Sequence, residues 1–343
     1  LAQYHDITVL TSRYRNSVDR VEDGVRYLHI GLPWGYYLSI LTYFLVLPFA
    51  TQMHHADLVV EDFAAPFSSC LSPLWTRKKL VALVQWLNAK EKSKQYLLPF
   101  WIIETIGLRL HHHYIAVSST VADAIHARNP KATVDVIGNG VPGAAFSEKL
   151  TQKREDIVFL GRLEREQKGL DLLLEAYALI APQTKANLIL IGDGPAERWL
   201  RTRIAELGLA HRVKLTGRVD GKQKHAALAR AKVVAMPSRF ETFGMVAVEA
   251  FATGTPVVAF DIACLHEVIP PRLGTIVPAY DVPAYAKTLL SFLDDTSSPA
   301  DLAAIRLQRR EFARRYDWDT LAATQQKVFE RVANSAQPVG GSR

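Results

Sequence analysis

Along the chain, short runs of β-branched and other apolar residues alternate with longer stretches whose apolar positions recur every three or four residues. The first kind predicts strands buried on both faces, the second the helices that cover them; their alternation predicts parallel sheets of β-α-β units. The predicted strands in the first half are Ile7–Thr11, Val25–Ile30, Leu58–Glu61, Leu80–Val84, Tyr114–Ser118 and Val134–Ile137. In the second half they are Ile157–Leu160, Leu188–Ile191, Val213–Leu215, Val233–Met236, Pro256–Phe260 and Gly274–Val277. With a linker near Pro142–Asp156, this predicts an α/β chain of two doubly wound domains, residues 1–143 and 144–318. Open sheets of this kind bind ligands beyond the carboxyl ends of their strands, so the cleft between the domains is the expected site.

Four further stretches complete the outline. Leu1–Asp6 reads as the tail of a helix entering the first strand, so a strand, a loop and most of a helix are expected ahead of Leu1. No signal peptide is read at Leu1. Asp319–Val332 reads as an amphipathic helix with Asp319 as its N-cap, and Ser335–Arg343 as a disordered tail. The longest apolar run, Leu32–Ala50, is interrupted by Pro33 and Pro48, whose spacing leaves fewer than the roughly 20 residues that cross a bilayer. It is expected to be a buried helix, while its four Tyr/Trp residues keep an interfacial, peripheral membrane role in view.

Composition narrows the function classes. At 343 residues, 49% hydrophobic and 22% charged, the chain has ample material for two cores and is neither disordered nor fibrous. The net charge of +7 is spread over both halves with no run of five like charges, so a nucleic-acid partner is not expected. Two cysteines, Cys70 and Cys264, make neither a disulfide framework nor a zinc site and suit a reducing, cytoplasmic compartment. The consecutive His111, His112 and His113 point in different directions and cannot share a metal; they read as surface or helix-end residues.

Candidate chemistry is concentrated in the second half. The strand Ile157–Leu160 runs into Gly161-Arg162-Leu163 and then Lys168-Gly169, which puts two cations and a close-approach glycine at a strand's carboxyl end. That combination suits a diphosphate. Gly192-Asp193-Gly194-Pro195 lacks the third glycine of a dinucleotide fingerprint, which argues against a dehydrogenase. Glu241 falls in the loop before the predicted helix Met245–Thr253, and Glu249 roughly two turns inside it, so they address different parts of one extended ligand. The backbone N–H groups of Phe243–Val246 open that helix and favour an anion. Glu249, with Val246, Val248, Ala250 and Phe251 around it, needs a partner.

Gly161-Arg162-Leu163 with Lys168-Gly169, Ile191 to Pro195, Pro237-Ser238 with Glu241 through Glu249, and Ala252-x-Gly254-x-Pro256-Val257 occur in that order. Together they resemble glycosyltransferase family 4, retaining nucleotide-sugar transferases of the GT-B fold with two Rossmann-like domains. The resemblance runs from about Ile7 to Val332. It implies that Arg162, Lys168 and Glu241 are catalytic: the two cations hold the donor diphosphate and Glu241 the sugar hydroxyls. It further implies Gly161, Gly192, Gly194, Phe243, Gly244, Met245 and Val246 at the phosphates and sugar, Arg218 and Val219 at the base, and Glu249 at the ribose. The first domain would bind the acceptor, the second the donor, and the final helix, residues 319–334, would cross back onto the first.

The implied function is transfer of a hexose from a UDP- or GDP-sugar to a glycan or lipid-linked acceptor at the cytoplasmic side. No cofactor and no metal are implied. Asp317-Trp318-Asp319 spells an acidic metal pattern but sits at a helix start. Arg77-Lys78-Lys79, Lys90–Lys94 and the aromatic stretch Trp34–Phe44 are candidates for acceptor or lipid recognition. Departures from the family pattern are Gln85-Trp86 where many members carry histidine, Gly138-Asn139-Gly140 for Pro-Asn-Gly, and Cys264 where glycine is common. The alternatives are a catalytically impaired nucleotide-sugar-binding protein and a nucleotide-sugar epimerase of the same fold.

Overall fold

The computed structural model describes residues 1–65, 68–148 and 156–335. They divide into two units, Leu1–Ile137 with the chain from Ala322 onward, and Gly138–Leu321. The linker expected at Pro142–Asp156 and the tail expected at Ser335–Arg343 lie partly outside the described residues.

In the first unit the strands are β1 (Ile7–Ser12), β2 (Arg20–Glu22), β3 (Val25–Ile30), β4 (Leu58–Asp62), β5 (Lys79–Val84), β6 (His113–Ala116) and β7 (Thr133–Val136). Helices α1 (Tyr36–Met53), α2 (Ala89–Tyr96), α3 (Phe100–Leu110) and α4 (Ser119–His126) connect them. Hydrogen bonding orders the strands as β1-β3-β2 and β4-β5-β6-β7, all parallel except for the β2–β3 hairpin. That hairpin turns on Asp23 and Gly24, both left-handed at φ +51° and +80°, the backbone that an Asp-Gly two-residue turn adopts.

Three expectations are corrected here. Pro48 lies inside α1 and does not end it. The helix is long and apolar enough to cross a membrane by length and composition, and it is largely exposed, not buried. Its buried residues are Ser39, Ala50 and Thr51, Ser39 donates to the Arg13 carbonyl, and Ile40, Tyr43, Phe44 and Leu47 are half-buried, so apolar residues lie on the inner and outer sides alike. His111 is not a surface residue: it is buried at the end of α3, with Nε2 2.8 Å from Glu61 Oε2 and Nδ1 3.0 Å from the Gly107 carbonyl. Burial pushes the Glu61 carboxyl up, but bonds from His111, Ser69 and Ser72 outweigh it and hold the group below its ordinary value.

The second unit holds β8 (Ile157–Leu160), β9 (Leu188–Ile191), β10 (Val213–Gly217), β11 (Val233–Met236), β12 (Val257–Phe260) and β13 (Thr275–Val277) in one parallel sheet ordered β10-β9-β8-β11-β12-β13. Its helices are α5 (Arg165–Lys168), α6 (Leu170–Ile180), α7 (Glu197–Glu206), α8 (Gly221–Arg230), α9 (Met245–Ala252), α10 (Leu265–Val268), α11 (Val282–Leu293) and α12 (Pro299–Ala313). β11 and β12 are buried on both faces, which is why they read as unbroken apolar runs. Phe159, Leu173, Tyr177, Leu190, Phe260 and Tyr285 fill the core. The two buried phenols are satisfied, Tyr177 on the Ala186 carbonyl at 2.7 Å and Tyr285 on that of Val258 at 2.8 Å. Strand order reverses between β8 and β11, which pair through Val233–Ile157 and Val234–Val158. In an open sheet, such a reversal makes the carboxyl ends of the two strands the place where ligands bind.

The last helix, α13 (Trp318–Asn334), begins one residue before the expected start, so Asp319 lies in its first turn and is not the N-cap. From Ala322 it belongs to the first unit. There Val328 and Val332 are buried, Arg331 pairs with Asp135, and Lys79 Nζ donates to the carbonyls of Ala333 and, at 2.6 Å, Ser335.

Candidate functional site

At the carboxyl edge of the second unit's sheet, three strand-to-helix loops are bonded to one another. Gly161 N–H donates to the Ile191 carbonyl at 3.0 Å, Leu163 to Asp193 at 2.7 Å, and Gly192 to Gly217 at 2.9 Å. The backbones approach so closely that a Cβ on Gly192 would lie 1.9 Å from the Gly161 carbonyl oxygen. Gly192 also has φ +144°, so glycine alone fits there.

The loop from β11 is fixed against the loop from β8 on the other side of the reversal. Arg239 clasps Asp171 with two parallel bonds of 2.8 and 2.7 Å, and its backbone N–H donates to the Gln167 carbonyl at 2.9 Å. Burial raises the Asp171 carboxyl, but the guanidinium's bonds and charge prevail and hold it below its ordinary value. Gly169 packs against Pro237, where a Cβ would sit 2.0 Å from the carbonyl oxygen.

This clamp brings Lys168 and Glu241 together. Lys168 Nζ lies 2.6 Å from Glu241 Oε1, and Ser238 Oγ donates to the same oxygen at 2.7 Å. Beneath them Cys264 Sγ donates to the Glu241 carbonyl at 3.3 Å. Burial, then the charges of Glu241 and Glu267, push this thiol up to about 12, so it serves as a neutral donor. Next to Glu241, α9 starts at Gly244, whose backbone is left-handed and which provides no side-chain cap. The first N–H groups of a helix have no partner within it, and here Met245 and Val246 are half-buried while residues from Ala247 on are buried. The Phe243 ring packs edge-on against Tyr316 and over Gly138, where a Cβ would lie 2.5 Å from the ring. The glycine in Gly138-Asn139-Gly140 makes room for that ring.

The other predicted residues are placed differently. Arg162 is exposed and pairs with Glu164 at 3.1 Å, and no ion pair joins it to Glu241 among the described residues. Arg218 is likewise exposed, 3.3 Å from Asp220. Glu249 is the fifth residue of α9, one turn in where two were expected, and it is buried. Its partner is Lys224 of α8, with Nζ 2.6 Å from Oε1. Sequence reading missed Lys224 and the Asp171–Arg239 clamp because each contact joins residues far apart in the chain. Ser238 was visible beside Pro237 but had no assigned bond.

His225, next to Lys224, is buried and neither ring nitrogen has a partner among the described residues. Burial, then the Lys224 ammonium, push its imidazole below the ordinary histidine value, against weaker opposite effects of Glu249 and Glu148. The unfolded chain therefore binds this proton more readily, and the stability His225 supports above about pH 6.5 is lost as pH falls below it. Thermal melts at pH 7.5 and pH 5.5 should show a drop on acidification that is smaller in His225→Leu.

Comparisons with known proteins bear on both units. Residues 1–143 match the model of Glycosyltransferase Family 4, and residues 143–307 that of Glycosyl transferases group 1. The chain is 36% identical over 187 residues to the phosphatidyl-myo-inositol mannosyltransferase of Mycobacterium leprae, covering 53% of this chain and 48% of that protein. It spans about half the length of the curated relatives it matches. Sucrose-phosphate synthase from Thermosynechococcus elongatus superposes with a TM-score of 0.76 at 20% identity, over 95% of this chain and 89% of that one. The Anabaena protein HepE in complex with UDP and glucose gives a TM-score of 0.69 at 20% identity, over 91% and 87%.

Proposed function

The chain belongs to glycosyltransferase family 4 and has the GT-B fold, and from that premise we propose retaining transfer of a hexose from a UDP- or GDP-sugar to a glycan or lipid-linked acceptor. The observation that carries this reading is the Lys168–Glu241 pair, held by Ser238 and the Arg239–Asp171 clamp beside the uncapped start of α9. The M. leprae relative's name supports a lipid-linked acceptor, and the HepE complex supports a uridine donor.

In this reading the diphosphate lies between Lys168 and the first N–H groups of α9, which stabilise the charge that grows as the sugar–phosphate bond breaks. Arg162 turns from Glu164 to the phosphates; an exposed ion pair of that kind is worth only about 0–1 kcal/mol and yields readily. Glu241 accepts from sugar hydroxyls. Glu249, its Oε1 held by Lys224, offers its other oxygen to the ribose, and Arg218 and Val219 border the base. The oxocarbenium-like sugar is attacked on the face the diphosphate leaves, and the departing phosphate oxygen takes the acceptor's proton, so configuration is retained. Cations of the chain do the work at the leaving group, and no metal is required. Transfer takes place at the cytoplasmic side.

Calorimetric titration with UDP, GDP and ADP, first in EDTA and then with magnesium, tests this. Binding of UDP or GDP in EDTA is the expected result. Absence of binding by all three, or binding only with magnesium, overturns the donor site or its metal independence respectively.

A further inference from the structure

The first unit carries a helix whose outer face is as apolar as its inner one. On α1, Tyr37, Leu41, Leu45, Phe49 and Met53 recur every fourth residue and are 82, 55, 63, 69 and 81% exposed. Residues at that spacing form one stripe along a helix. No charged residue occurs anywhere in Tyr36–Met53. A contiguous apolar surface of this kind on a folded chain marks an interaction site.

Both ends of the stripe define what it meets. Trp34 and Tyr36, 66 and 64% exposed, stand at its start. At its end, Gln52 lines a pocket of about 680 Å³ with Trp75, Thr76, Arg77, Lys78 and Lys79. Lys79 opens β5, so this pocket lies at the amino edge of the sheet, away from the strand ends where substrates bind. Lys78 donates to the carbonyls of Thr51 and His54, and Lys79 to those of Ala333 and Ser335. These acceptors are neutral, and among the described residues neither lysine is paired with a carboxylate, so the pocket keeps positive charge against one lining acid, Asp57.

We propose that this face of α1, with the basic pocket at its end, docks the first unit on an anionic phospholipid bilayer. An uncharged apolar stripe with aromatic residues at one end and cations at the other matches the chemistry of the headgroup boundary. A protein partner would be met by a polar rim along the stripe's length, which α1 lacks. The helix lies in the interface and does not cross it. It is tied to the unit along its length by Leu32 N–H to Thr42 Oγ1 at 2.9 Å, Gln52 Nε2 to the Trp75 carbonyl at 2.8 Å and Lys78 Nζ to the Thr51 carbonyl at 2.7 Å. The inference does not depend on the donor site.

Sedimentation with vesicles of phosphatidylcholine alone, or with one third phosphatidylglycerol, tests it on the full chain. The anionic vesicles should bind roughly tenfold or more tightly, with the preference shrinking as salt rises. The pair Leu45→Glu with Phe49→Glu should abolish vesicle binding while leaving the melting temperature and nucleoside diphosphate binding unchanged; Arg77→Glu should weaken anionic binding several-fold. Equal binding to both vesicle types overturns the proposal, as does wild-type vesicle binding by the Glu pair. A dimer in solution that the Glu pair dissociates, with no vesicle binding by the wild type, overturns it in favour of a second copy on this face. Donor titration of the same variants keeps failure here distinct from failure of the transfer reading.

Discussion

Lys168→Ala should weaken binding of the cognate nucleoside diphosphate by about ten- to a hundredfold in calorimetry. A charge-assisted hydrogen bond is worth about 1.5–3 kcal/mol, and each 1.4 kcal/mol is a factor of ten. The lysine side chain is only 18% exposed, and its loop is held by the Gly169–Pro237 contact and the Arg239–Asp171 clamp. Glu241→Ala makes the informative contrast. Lys168 then loses the carboxylate at 2.6 Å that competes with phosphate. The bare diphosphate should bind at least as well as to the wild type, while the nucleotide sugar loses the advantage its hydroxyls gained from Glu241. If Lys168→Ala left diphosphate affinity unchanged, the pair would be a structural staple and the diphosphate would have to sit elsewhere.

The second large effect concerns folding. Lys224→Ala should lower the melting temperature more than Glu249→Ala, although both break the same 2.6 Å contact. The side chain of Glu249 is 9% exposed and that of Lys224 25%. Removing the lysine strands a carboxylate among Val246, Val248, Ala250 and Phe251, whereas removing the glutamate lets the ammonium turn to water. Breaking a buried pair costs about 3–5 kcal/mol. The partial exposure of the lysine places Lys224→Ala at the lower end, a fall of roughly 6–12 °C at about 2–4 °C per kcal/mol. Equal melting shifts would mean that both charges are equally well solvated once separated. The sequence shows that Glu249 needs a partner but does not name it, because its lysine lies 25 residues away.

Legibility followed locality. Strands such as Val233–Met236 and Val257–Phe260 declare themselves because every side chain in them is buried. β2 did not, because all of its residues are exposed; its one signal is the following Asp23-Gly24, the pair a tight hairpin requires. The site motifs marked the loops but not their staples, since Asp171–Arg239 and Lys224–Glu249 depend on the order of strands in the sheet. α1 misled because its apolar residues lie on every side of the helix, and the unit buries only part of them. His111 and Glu61 misled the other way, as polar residues whose burial depends on a partner 50 positions off.

The division of the chain at Ile137 and Ala322 also sets an order of events during synthesis. The first unit begins to emerge from the ribosome first, yet it is finished last, because the Arg331 that pairs with Asp135, the buried Val332 and the carbonyl that Lys79 bonds arrive only with α13. At about 5–20 residues per second, the intervening segment delays that closure by roughly ten to forty seconds. The second unit has all of its own residues before then and can fold in the interval. The nascent first unit is thus the stage at which the protein depends most on protection by a chaperone, and stop codons just after Leu321 should yield a folded second unit preceded by an aggregation-prone first one.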